Sequence, residues 1–146
     1  MNVSTGLDVF DATVRKTHEW LNELMAELGL DDRHLAFVGL RASLQALRDR
    51  LTVEEAVQLG AQLPMLIRGV YYEGWNAAGK PVKWHKAEFL DVVRSHFRNN
   101  LKINAEEVVR AVFKVLAHRV SQGELTDVQN LLPKDLRSLW PGADRL

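Results

Sequence analysis

Leu-Pro occurs twice in this chain, at Leu63-Pro64 and Leu132-Pro133, each time with its proline twelve residues after a hydroxyl residue that is followed three positions later by glutamate. The hydroxyl positions are Thr52, with Glu55, and Ser121, with Glu124. Both correspondences obey one shift of 69 residues, and over the ungapped alignment of 40–71 with 109–140 eight of 32 positions are identical. The shared residues have mechanical roles. Thr-x-x-Glu and Ser-x-x-Glu are capping boxes, in which the hydroxyl accepts an orphan N–H and the carboxylate reaches back to the cap. Proline lacks an N–H and suits the start of a new helix better than the interior of an old one. Each copy therefore starts a helix at the box and breaks and restarts at Leu-Pro.

Apolar spacing extends the pattern upstream. Val108/Val109, Val112/Phe113, Val115/Leu116 and Val120 recur at three and four residues behind an Asn104-x-x-Glu107 cap, the signature of an amphipathic helix. Leu40, Leu44, Leu47 and Leu51 occupy the matching places after Asp31-Asp32. A still earlier helix is predicted in each copy. Its apolar face is Phe10, Val14, Thr17, Leu21, Leu24 and Leu28 in the first, closed by Gly29, and Phe89, Val93, His96/Phe97 and Leu101 in the second. From Phe10 to Phe89 the shift is 79, so the first helix of the first copy is the longer. Two glycines and a proline in 74–83 mark a linker. The reading is all-α: two tandem repeats of about four helices, 7–73 and 84–141, packed as one pseudo-symmetric bundle in a single domain, 1–146.

Composition excludes several functions. Nineteen Lys and Arg balance nineteen Asp and Glu, so no global field draws the chain to nucleic acid or an anionic membrane. Without cysteine there is no disulfide, thiolate nucleophile or thiolate metal site. No long apolar stretch or signal-like start is present, which makes the cytoplasm the expected location. The histidines 18, 34, 85, 96 and 118 lack metal-binding spacing; His96 reads as a core residue and His118 as facing water. The acid pairs Asp31-Asp32, Glu54-Glu55 and Glu106-Glu107 each open a helix, where the dipole favours negative charge, so capping accounts for them. No nucleophile elbow or phosphate loop occurs. The expectation is no catalytic residue, no cofactor, no metal and no enzyme.

Two constellations remain as candidates. Three arginine pairs, Arg41/Arg110, Arg50/Arg119 and Arg68/Arg137, persist in both copies, as anion or partner contacts on one reading and as structural ties on the favoured one. The candidate contact surface is the aromatic and basic cluster around the linker, Tyr72, Trp75, Lys80, Lys83, Trp84, His85 and Lys86. Such residues can anchor a protein, stack on bases or ring ligands, or pin a linker to its own domain. A helix-turn-helix reading of 53–62 fails on charge, since that helix carries two glutamates and no Lys or Arg.

Three stretches carry a family resemblance: Leu47 to Ala56, Gln62-Leu63-Pro64 through Tyr71-Tyr72-Glu73-Gly74-Trp75, and Leu132-Pro133-x-x-Leu136-Arg137-x-Leu139-Trp140. Together they resemble the bacterial family called domain of unknown function 2267 across nearly the whole chain. The resemblance implies an all-helical bacterial protein and transfers no activity. The functional expectation is a non-enzymatic intracellular protein-interaction module, self-associating or with an unknown protein partner. The alternative is a ligand or nucleic-acid binder using the basic aromatic linker.

Overall fold

The first hydroxyl-capped start appears where the spacing places it. In the computed structural model, which describes residues 4–98 and 100–142 and so leaves both ends of the 1–146 span aside, α3 runs Val53–Ala61 and Thr52 Oγ1 accepts the Glu55 N–H at 3.2 Å. Its counterpart α7, Gln122–Asn130, begins with Ser121 Oγ accepting the Glu124 N–H at 3.3 Å. The remaining helices are α1 (Asp8–Leu28), α2 (Arg33–Arg50), α4 (Met65–Tyr72), α5 (Lys86–Ser95), α6 (Ala105–Arg119) and α8 (Lys134–Arg137). The described residues contain no strand. None of their helices is long and apolar enough to cross a membrane.

Local chemistry sets most of these bounds. Asp32 accepts the Leu35 N–H and Asn104 the Glu107 N–H, so α2 and α6 are capped by the residues the sequence offers. Gly29 closes α1 at φ 64, a left-handed conformation that glycine adopts without steric penalty. Proline sits one place earlier than a first-turn position. Pro64 and Pro133 are N-caps, their carbonyls accepting from Arg68 and Arg137, and a proline ring offers no side-chain acceptor. For α4 a neighbour fills that gap: Thr13 Oγ1 of α1 accepts the Leu66 N–H at 2.8 Å.

The core centres on α2 and α6, which touch each other and both pack on α1 and α5. Leu24, Leu44, Leu47, Phe89, Phe113 and Leu116 are fully buried there, each such side chain contributing on the order of 2 kcal/mol by leaving water. Gly39 lets the two central helices approach: a Cβ at this position would lie 2.8 Å from Val108 Cγ1. Helices from both sides of the linker thus share one cluster.

Three expectations are corrected. The first concerns the capping boxes, because neither Glu55 nor Glu124 returns to its cap: the Ser121 N–H is taken by Gln62 Oε1 at 2.9 Å, and both carboxyls turn inward. The second concerns α5, which stops at Ser95; Arg98 is left-handed at φ 50 and Leu101 is 98% exposed, so Leu101 leaves the apolar face assigned to it. The third concerns α1, whose buried face begins only at Thr17. Phe10 and Val14 have the right period, but α4 stands off from them across an open groove and they remain exposed.

Candidate functional site

The linker is held from both ends. Arg50, buried at the end of α2, donates Nε to the Trp84 carbonyl at 2.8 Å, and the Val82 N–H donates to the Asp49 carbonyl at 2.8 Å. On the far side the Lys86 N–H donates to Asp135 Oδ2 at 3.1 Å, His85 Nδ1 lies 3.4 Å from the same carboxylate, and Lys86 Nζ pairs with Glu106 at 3.1 Å. Lys86 and Arg110 both bond Glu106 and hold its carboxyl below the usual range. Of the seven candidate contact residues, Lys83 and His85 are exposed, while Tyr72, Trp75, Lys80, Trp84 and Lys86 are half-buried. Trp75 and Trp84 pack on the core, and Tyr72 lies 5.4 Å from the Trp75 ring. The cluster is spread along a strap rather than gathered into a pocket.

Five of the repeated arginines have identifiable neighbours. Arg68 donates to the carbonyls of Gly60, Ala61 and Leu63, satisfying the end of α3. Arg119 bonds Glu23 at 2.9 Å and lies over the Trp20 ring, tying α6 to α1. Arg110 bonds Glu106 and the Ser138 carbonyl, and Arg50 holds the linker as above. Arg41 lies near His96, whose pKa is lowered by burial and by that guanidinium. Arg137 makes no side-chain bond among the described residues. Arg48, which the repeat does not mark, is more buried than most of these and donates to the Tyr71 and Glu73 carbonyls and to Asp49. His118 is exposed, as its spacing predicts, and pairs with Glu23 at 3.1 Å.

An apolar groove lies between the beginning of α1 and α4. It has a volume of about 430 Å³ and is lined by Phe10, Thr13, Val14, Met65, Leu66 and Val70 among others. Phe10 is 44% exposed and Met65 46%, with Leu7 and Val9 also open to solvent beside them. Scattered exposed apolar residues are ordinary, whereas apolar residues gathered around a groove mark a contact surface.

Where α3 meets α7, the structure brings together residues that spacing assigned to capping alone. Glu55 is 9% exposed and Glu124 8%, and the Oε1 atom of each is sealed from solvent without a hydrogen-bond partner. Carboxylate oxygens of Glu55, Glu124 and the exposed Asp127 lie within 4.8 Å of one another. Burial, the bond to Glu55 and the Glu55 charge push the Glu124 carboxyl up to about 7, with Asp127 adding to the effect. Below neutral pH one proton held between the two glutamates supplies the donor both need. Tyr71 stands nearby, its hydroxyl donating to the Ala56 carbonyl at 2.7 Å and its pKa raised chiefly by burial. The sequence carried a signal for this pair: Glu55 and Glu124 are one of the eight identities at the shift of 69. Asp127 and Gln62, which complete the surroundings, have no match in the other copy and left no such trace.

No curated protein matches this chain. The family model described as an uncharacterized conserved protein, DUF2267, matches residues 17–139, which takes in α2 through α8 and most of α1. With the match covering the core, the linker and the carboxyl cluster alike, the chain belongs to the DUF2267 family of uncharacterized conserved proteins.

Proposed function

We propose that this chain is a non-enzymatic helical interaction module that pairs with a second copy of itself through the face made by the start of α1 and α4. The observation that carries the reading is the exposed ridge of Phe10 and Val14 lying directly beside the apolar groove above Met65 and Leu66. A surface with its ridge next to its groove is self-complementary, which is what a two-fold interface requires. Charge order along α1 favours the same partner. Asp8 and Asp11 precede Arg15 and Lys16, so an antiparallel second α1 sets acids against bases at both ends of the contact.

Several finer expectations travel with this reading. The chain is taken as two tandem units of one motif, supported by α3 and α7 spanning 53–61 and 122–130 at the shift of 69. The chain is taken as bacterial, and its lack of cysteine suits a reducing cytoplasm. The single-chain bonds that hold Trp84, His85 and Lys86 support a linker that braces the fold over one that grips nucleic acid.

Sedimentation equilibrium over a wide concentration range tests the proposal. The unmodified chain is expected as a concentration-dependent dimer, and Phe10→Asp with Met65→Asp as a monomer with unchanged helical circular dichroism. Asp8→Lys and Lys16→Asp should each weaken the dimer and together restore it. A monomer at every concentration, or a dimer indifferent to all four changes, overturns the reading.

A further inference from the structure

Three carboxylates converge between α3 and α7 with no cation to meet them. Among the described residues, no Lys, Arg or His forms an ion pair with Glu55, Glu124 or Asp127, although eight such pairs exist elsewhere. Glu55 and Glu124 are more than nine-tenths buried, each has a buried Oε1 with no hydrogen-bond partner, and each contributes a carboxylate oxygen to the cluster. Buried carboxylates need compensation, from a hydrogen bond, a counter-charge or a metal. A shared proton answers for two of the three. Asp127 then remains as a third like charge within 4.8 Å, a placement that a hydrogen-bonded acid pair does not require.

We propose that Glu55, Glu124 and Asp127 bind one hard divalent cation, of the Mg2+, Mn2+ or Ca2+ class, at the junction of α3 and α7. The donors are all carboxylate oxygens, with no histidine or thiolate to favour zinc or a softer metal. Oxygens spaced this closely on two helices can ligate one ion, with water completing its coordination. Asp127 is exposed and opens the cluster to solvent, which gives the ion an entry path and leaves an open side for a further ligand. Gln58 stands one turn after Glu55 as Asp127 stands one turn after Glu124, so the register offers a neutral oxygen at the matching place on α3. The ion would join the two halves of the chain where α3 and α7 touch, and its binding would not depend on the pairing surface at α1.

The full-length protein, stripped with EDTA and titrated with MnCl2, provides the test, with bound and free Mn2+ separated by electron paramagnetic resonance. One ion per chain is expected, with Kd of about 10⁻⁴ M or tighter and competition by CaCl2 or MgCl2. Asp127→Asn, a surface change that leaves the helices intact, should weaken binding at least about tenfold, and Glu124→Gln should abolish it. Binding should also strengthen from pH 6 to pH 8, because the ion displaces the shared proton. No saturable binding, or binding that Asp127→Asn and Glu124→Gln leave unchanged, overturns the proposal. So does a stripped protein whose Tm rises on Glu124→Gln yet never responds to the three cations, since the cluster is then a proton-sharing pair and nothing more.

Discussion

Gln62 clamps Ser121 across the junction of α3 and α7: its Nε2 donates to Ser121 Oγ at 3.0 Å while its Oε1 accepts the Ser121 N–H at 2.9 Å. One side-chain amide thereby replaces the carboxylate that the Ser-x-x-Glu pattern assigns to that N–H, and it frees Glu124 to turn toward Glu55. The last residue of one helical segment fixes the first residue of another 59 positions away.

Gln62→Ala should therefore destabilise the fold by about 1–2 kcal/mol, the range expected when a helix start loses its partner. Urea unfolding measures it. Gln62→Glu should do worse at neutral pH, because it adds a carboxylate beside the pair already lacking a cation.

In metal-free buffer, stability should fall as pH rises through neutrality. An ordinary glutamate carboxyl releases its proton near 4.5, whereas Glu124 in the folded protein holds it up to about 7. The folded state binds the extra proton between those values, so the contribution is complete below 4.5 and is lost as pH rises through 7. The loss should be on the order of 3 kcal/mol, given that each tenfold change in proton affinity is worth ~1.4 kcal/mol. Glu124→Gln should flatten the dependence and be the more stable protein at pH 8, as chemical denaturation at pH 5 and pH 8 will show.

Gly39→Ala should destabilise, against the usual gain in helix propensity. A methyl group there lies 2.8 Å from Val108 Cγ1, a stiff β-branched side chain, so α2 and α6 must separate slightly, at about 1–2 kcal/mol. Gly69→Ala on α4 meets nothing within 4 Å and should stabilise by about 0.5–1 kcal/mol. Thermal melts of the two variants should move in opposite directions.

Arg50→Met should release the linker while keeping most of the apolar packing. The Trp84 carbonyl loses its donor, and a bond to a charged group in a buried setting is worth about 1.5–3 kcal/mol. Limited proteolysis within 74–85 should accelerate, and tryptophan emission should shift to the red as Trp84 gains solvent.

Helix starts were legible in the sequence because their causes lie within four residues. Asp32, Thr52, Asn104 and Ser121 all cap as their spacing requires, and Gly29 closes α1. Leu101 misled because periodicity carries past the polar residues that end α5, and period alone cannot show where a helix stops. Phe10 and Val14 misled for a related reason: a stripe shows which side chains share a face, not whether another helix covers it.

What the sequence determined by itself was thus the set of helices and the register that relates 40–71 to 109–140, since capping and helical period are local forces. The tertiary structure decided what those local residues became. Glu55 and Glu124, identical by register and suited to capping, were turned into a buried acid cluster because α3 and α7 pack against each other and Gln62 takes over the cap of one of them. Whether a carboxyl faces its own N-cap or a carboxyl 69 residues away depends on the desolvation and like-charge contact that only packing creates.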